Sequence, residues 1–241
     1  MSSSDIYESG EYLSKNPDWH EGDGAWKARQ IIRMIDRNRL NLESIAELGC
    51  GSGRILHELA QHYPSVQNFH GYDIAPHAMA MAKKYEIAGR ILFFQKDLSV
   101  NPQNHHYSLL LLIDVFEHVD DYLGFLRKLN RSADQYIFHI PLDMHFQGLI
   151  QDLQITRRDR FGHLHYFSKA TALRTIEDTG YRVIDYFYTS GKLEVASARR
   201  DLGDYIMNIP RRLFYPIFPD LTVKLFGGYS LLVLAEPRLL D

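Results

Sequence analysis

The sequence predicts an α/β fold built on a doubly wound, mostly parallel, seven-stranded sheet, with insertions that form a cap. Three observations carry that expectation. Apolar, β-branched-rich segments alternate along the chain with segments of helical periodicity, the order produced when helices cover both faces of a sheet. The run LLLLI at 109–113 is apolar at every position, as a central parallel strand must be when both its faces are buried. Finally, IAELGCGSGR at 45–54 is an apolar run that ends in an acid and continues into glycines at 49, 51 and 53. That pattern suits a strand-to-helix turn whose backbone passes close to a ligand and leaves its amides free.

The elements follow in order. Ala28, Ile31, Ile32 and Ile35 recur at helical spacing and predict a first helix beginning near Gly24. Strands are predicted at Ser44–Leu48, Asn68–Asp73, Ile91–Gln95, Leu109–Ile113, Gln135–Ile140, Tyr181–Tyr188 and Tyr229–Ala235. Further helices are predicted to begin near Gly53, Pro76, Asp120 and Ser168. Pro76 suits a first helical turn, and Ser168 before KATAL reads as an N-cap. Ligands of such sheets bind beyond the carboxyl ends of the strands, so the site belongs in the loops there. Two segments exceed a minimal unit, 142–167 and 196–228, and insertions at such places form lids or substrate walls. Residues 1–241 are therefore expected to form one domain. Within it, 1–43 supply an N-terminal lid and first helix, 44–141 the ligand-binding core, and the two insertions the cap.

Composition narrows the function. The formal charge of −3 lacks the basic excess that binds a phosphate backbone, so no nucleic-acid partner is expected. One cysteine excludes an internal disulfide framework or a four-thiolate zinc site and fits a reducing, cytoplasmic setting. Cys50 itself reads as a small packed residue of the turn. The opening MSSSDIYESG has no basic and apolar leader pattern, and no stretch approaches ~20 apolar residues. Neither a signal peptide nor a stable membrane insertion is expected.

The glycine loop alone suits either a dinucleotide or S-adenosylmethionine. A dinucleotide fingerprint places its third glycine five residues after the first, and here that position is Arg54. Glu47 adds a second reason: a carboxylate beside the loop repels a pyrophosphate but pairs with the cationic amino group of a methionine moiety. Glu47, Gly49, Gly51 and Gly53 thus read as one cofactor site.

At this point the chain resembles the class I S-adenosylmethionine-dependent methyltransferases, which have a Rossmann-like fold. Four segments carry the likeness: the loop, HGYDIAP at 70–76, FFQKDLS at 93–99, and LLIDVFEHVDDYLGFLRKL at 111–129. The last is similar to the ubiquinone-type and related small-molecule methyltransferases, as is GHLHYFSKATALRTIEDTGY at 162–181. Together they span roughly Ser44 to Tyr188. The resemblance implies that Asp73 holds both ribose hydroxyls, with Ile74 beside it. It also implies that Asp97 accepts the adenine amino group while Leu98 donates its amide, and that Asp114 lies in the cofactor site. Asp73 also suits a helix cap and Asp97 an ordinary turn.

Methyl transfer needs alignment, exclusion of water and, for a hydroxyl or amine acceptor, a base. Glu117 and His118, in EHV after the fourth strand, are the first catalytic candidates. His163 and His165, two apart in GHLHYF, are expected on one face of an extended segment. That spacing also occurs at metal sites, but no third ligand is apparent and no metal is expected. Tyr12, Trp19 and His20, in the aromatic segment before the first strand, are expected to line the acceptor pocket. The segment 211–226 mixes basic and aromatic residues, but its two prolines disfavour one continuous amphipathic helix. The function read from the sequence is methyl transfer to oxygen, or to nitrogen, of a small-molecule or carrier-linked acceptor. A non-catalytic protein that binds S-adenosylmethionine and a dinucleotide-dependent oxidoreductase are the alternatives.

Overall fold

The computed structural model describes residues 21–195 and 202–238. Seven strands form one sheet in the order β3-β2-β1-β4-β5-β7-β6. They are β1 Ser44–Leu48, β2 Asn68–Asp73, β3 Ile91–Gln95, β4 Tyr107–Ile113, β5 Ala133–Pro141, β6 Tyr181–Thr189 and β7 Ser230–Pro237. The first five pair in parallel, with Glu47 in register with Gly71 on one side and Leu111 on the other. Strand β7 runs antiparallel between β5 and β6, so the sheet is mostly parallel, as predicted. The order reverses between β1 and β4, where the carboxyl ends of two strands diverge and open a crevice.

Strand β4 explains the arrangement. Leu109, Leu111 and Ile113 enter one apolar layer and Leu110 and Leu112 the other, so each face must be covered. The first layer is closed by α1 (Glu21–Asn38) through Ala28, Ile31, Met34 and Ile35, and by α2 (Arg54–His62) through Ile55, Leu56 and Leu59. The second is closed by α4 (Tyr122–Leu129) and α7 (Lys169–Asp178), which contribute Phe125, Leu126, Leu129, Ala172 and Ile176. Helix α3 (Pro76–Ala82) carries Pro76 in its first turn. The Ser168 hydroxyl caps α7 in a capping box with Thr171, and Asp121 caps α4 by accepting from the Gly124 amide.

Both insertions contain helices. Residues 142–167 hold α5 (Phe146–Ile150) and α6 (Leu153–Phe161), and α8 (Gly191–Glu194) follows β6. The second insertion holds α9 (Leu202–Phe214) and α10 (Pro219–Phe226). The break between α9 and α10 falls at Pro216 and Pro219, as the proline content predicts, while Pro210 is tolerated inside α9. Helix α9 packs on α10, α10 on α5, and α5 on α6.

Candidate active site

The site begins where β1 ends. Glu47 is 1% exposed, and its Oε2 has no hydrogen-bond partner among the described residues. Burial pushes its carboxyl well above the usual range, with Asp73 adding to the rise and Lys27 opposing it. A buried carboxylate oxygen without a partner is costly, so its place at a strand end facing a loop suits a ligand that supplies a donor.

Gly49, Gly51 and Gly53 all lie in the left-handed region, at φ of 71°, 52° and 76°, where a side chain is strained. The amides of Gly49 and Cys50 donate to the Tyr72 carbonyl, that of Gly51 to Asp73 Oδ2 and that of Gly53 to the Cys50 carbonyl. The expected row of free amides is therefore corrected: these four are committed to shaping the turn. The glycines also make room for protein, since a Cβ at Gly49 would meet Val115 at 2.8 Å and one at Gly53 would meet Phe93 at 2.5 Å. Cys50 is buried, and burial raises its thiol well above the ordinary value, which suits packing and not nucleophilic use. Arg54 begins α2 and reaches Glu58 at 2.7 Å. The close approach there comes from α1, where a Cβ on Gly24 would lie 2.6 Å from Arg54 Cγ.

Asp73 ends β2 and accepts from the Gly51 and Ala75 amides, each at 2.9 Å. Burial raises its carboxyl against the pull of those amides. The helix that follows takes Ala75 as its N-cap with no side-chain cap bond, so the helix-cap reading is corrected to a role in the turn, and each Asp73 oxygen keeps a further lone pair. Ile74 is half-buried beside it. Asp97 accepts from the Ser99 amide at 2.8 Å as the cap of a 3₁₀ turn, Leu98–Val100, and the Leu98 side chain enters the core.

After β4 the chain turns through Asp114, held at φ 55°. Its carboxylate meets Lys27 of α1 at 2.7 Å and His139 of β5 at 2.6 Å. Burial opposes ionisation, but His139 and Lys27 outweigh it and hold this carboxyl far below the usual range. His139 Nε2 continues the chain of bonds to Thr189 Oγ1 at 2.8 Å. Neither Lys27 nor His139 is distinguished in the sequence. They come together because α1 crosses the sheet at this end.

The 3₁₀ turn Phe116–His118 carries the catalytic candidates. Glu117 is 1% exposed, and neither carboxylate oxygen has a hydrogen-bond partner among the described residues. Its backbone carbonyl, in contrast, accepts from the amides of both Leu164 and His165, which ties 162–167 onto this turn. His118 Nδ1 lies 3.1 Å from the Gly162 carbonyl, and the His163 ring stands edge-on to His118 with centroids 4.9 Å apart. His163 Nδ1 lies 2.6 Å from Asp143 Oδ2, and Arg157 meets the other Asp143 oxygen at 3.3 Å. Burial opposes ionisation of Asp143, yet the His163 hydrogen bond and the Arg157 charge hold it below the ordinary carboxylate value.

His165 goes elsewhere: its Nε2 bonds to the Val119 carbonyl and its ring packs on Tyr122. The expected convergence of His163 with His165 is therefore corrected to a convergence of His163 with His118 and Glu117. Asp143 escapes the sequence reading, although its position just past the fifth strand is a usable signal. Tyr12, Trp19 and His20 lie outside the described residues.

The family model described as a methyltransferase domain matches residues 19–186, which is more than half of the chain. The chain belongs to this family. Membership makes it a methyltransferase with S-adenosylmethionine as its cofactor, as expected from the sequence, and sets aside the oxidoreductase alternative. Solved structures of the same fold include a magnesium protoporphyrin IX methyltransferase from Synechocystis with bound S-adenosylhomocysteine. It is 16% identical with a TM-score of 0.57, over 88% of this chain and 82% of that one. A putative methyltransferase from Haloferax volcanii, solved in complex with a methyltransferase activator, is 13% identical at a TM-score of 0.64, over 97% and 96% of the two chains. The N-methyltransferase NodS from Bradyrhizobium japonicum is 12% identical at 0.57, over 88% and 85%. At such identities the likeness is one of fold. A comparison with curated proteins finds no match. No helix among the described residues is long and apolar enough to cross a membrane.

Proposed function

We propose that this methyltransferase moves the methyl group of S-adenosylmethionine to an oxygen of a small-molecule or carrier-linked acceptor, with nitrogen as the second choice. The observation that carries the reading is a pair of buried acids at the carboxyl edges of β1 and β4: among the described residues, Glu47 has one oxygen and Glu117 both oxygens without a hydrogen-bond partner. Between them Val115 packs against Gly49, so the two lie on either side of one loop. The residues fit the cofactor. Glu47 lacks the cationic donor that a methionine amino group supplies, and Asp73 offers two oxygens to vicinal hydroxyls. Asp97 and the Leu98 amide take the adenine edge, while Ile74 and Asp114 flank the site.

The bound cofactor supplies an electrophilic methyl on a sulfonium centre that becomes neutral as the methyl leaves. The chain must therefore align the acceptor, exclude water and help a hydroxyl lose its proton. Glu117, His118 and His163 occupy the position for this third task. His165 instead holds the segment in place through Val119 and Tyr122. Tyr12, Trp19 and His20 are assigned to the acceptor side as part of a closing N-terminal segment, and the helices of 142–167 and 196–228 form the cap. The reaction is tested by incubating the purified protein with methyl-labelled S-adenosylmethionine and a panel of hydroxyl and amine acceptors. Label on a hydroxyl with matching release of S-adenosylhomocysteine is expected. Label confined to nitrogen, or none with any acceptor while the cofactor binds, refutes the oxygen assignment.

A further inference from the structure

Glu117, His118 and His163 each present one donor atom, and these atoms lie within 4.8 Å of one another. We propose that the three hold a divalent cation of the first transition row, such as Mn²⁺ or Zn²⁺, against which the acceptor hydroxyl is bound and acidified. The donor set of two imidazoles and one carboxylate suits such ions and leaves coordination positions open. Donors held ~2.0–2.2 Å from an ion stand about 3–3.5 Å apart, so a bound ion draws these atoms closer together.

Two further observations point to a ligand at this place. Glu117 is a buried acid whose two oxygens have no hydrogen-bond partner among the described residues, with His118 Nε2 3.8 Å from Oε1, whereas a hydrogen bond is the usual condition of burial. In addition, each histidine is oriented through Nδ1 by an acceptor: His163 by Asp143 Oδ2 at 2.6 Å and His118 by the Gly162 carbonyl at 3.1 Å. Neither acceptor can donate back, so in each neutral ring the proton lies on Nδ1 and the lone pair on Nε2. A carboxylate or carbonyl behind a ligating imidazole fixes its tautomer and raises its basicity. Asp143 is thus a positioning residue. The expectation of no metal rested on His163 and His165 alone. The third donor was hidden because Glu117 and His118 are brought beside His163 only by the bonds from Leu164 and His165 to the Glu117 carbonyl.

The cation's part in the reaction rests on the function proposed above. A hydroxyl in an open coordination position loses its proton to solvent more easily. Its oxygen then forms the bond to the methyl carbon as the sulfur–carbon bond breaks, and that electron pair stays on sulfur. The products are the methyl ether, S-adenosylhomocysteine and one proton.

The test is titration of the metal-stripped protein with Mn²⁺, followed by the electron paramagnetic resonance signal of free ion, with Zn²⁺ as competitor and S-adenosylhomocysteine affinity measured in parallel. The structure calls for saturable binding of one ion per chain. Glu117→Gln and His163→Gln should each weaken it at least tenfold, Asp143→Asn by about 10–100-fold, and cofactor affinity should stay within twofold in all three. Absence of saturable binding by the wild-type chain overturns the proposal, as does wild-type ion affinity in folded Glu117→Gln and His163→Gln. Failure of S-adenosylhomocysteine to bind while the ion binds contradicts the methyl-transfer role and leaves the metal site standing.

Discussion

Replacing Glu47 by Gln separates the cofactor role of this acid from a structural one. In the ligand-free protein burial raises the Glu47 carboxyl well above the usual range and disfavours its charged form, and Gln is an uncharged group of nearly equal volume. Stability near neutral pH should change by less than about 1 kcal/mol, well below the ~1–3 kcal/mol of a newly orphaned buried group. Cofactor binding should respond differently. Pairing with the cationic amino group requires the ionised acid, and a charge-assisted hydrogen bond contributes about 1.5–3 kcal/mol. Its loss corresponds to roughly 10- to 150-fold in Kd. Proton linkage supplies a second signature. Because the raised carboxyl of Glu47 must lose its proton on binding, affinity for S-adenosylhomocysteine should increase with pH until the free-state carboxyl is ionised, and this rise should vanish in Glu47→Gln. Isothermal calorimetry in buffers of different ionisation enthalpy reads both the Kd and the released proton. A folded Glu47→Gln protein with wild-type affinity and wild-type proton release would refute the reasoning.

The other predictions rest on neighbouring residues. Asp73→Ala should weaken S-adenosylhomocysteine binding by about 1.5–3 kcal/mol if Asp73 accepts from the ribose as proposed, since it removes that carboxylate along with its tie to the Gly51 amide; calorimetry on a folded variant checks it. Gly71→Ala should cost about 1–3 kcal/mol in a denaturant melt through overpacking, since the new Cβ would lie 2.4 Å from Phe93 and 2.8 Å from Cys50 Sγ. Adding Phe93→Leu should restore part of that loss. His145, the acceptor for the Gly148 amide at the start of α5, is pushed down to about 4 by burial. The unfolded chain therefore binds its proton first, so the contribution is present above pH ~6.5 and is lost as pH falls toward 4. His145→Asn keeps the cap and should flatten stability across that window, by no more than about 3 kcal/mol given partial solvent access.

The sheet was legible because its signals are local. Strand β4 is apolar at each predicted position, Pro76 and Ser168 announce helix starts, and all seven strands overlap their predicted segments. Helix α6 was invisible for the opposite reason: QITRRDR carries no apolar stripe, and no residue of α6 is buried. The roles of loop groups were legible only in part. The Gly49 and Cys50 amides turn back to Tyr72, a partner more than twenty residues away that no local pattern reveals. Likewise the Lys27–Asp114–His139 cluster joins three distant elements. His163 was legible as a candidate, but its neighbours depend on how 162–167 is pinned to Glu117.

The most direct measurement is a calorimetric titration of the wild-type protein with S-adenosylhomocysteine, alongside NAD. Saturable binding of one S-adenosylhomocysteine per chain and none of NAD is expected. Binding of NAD alone, or of neither ligand, would contradict it.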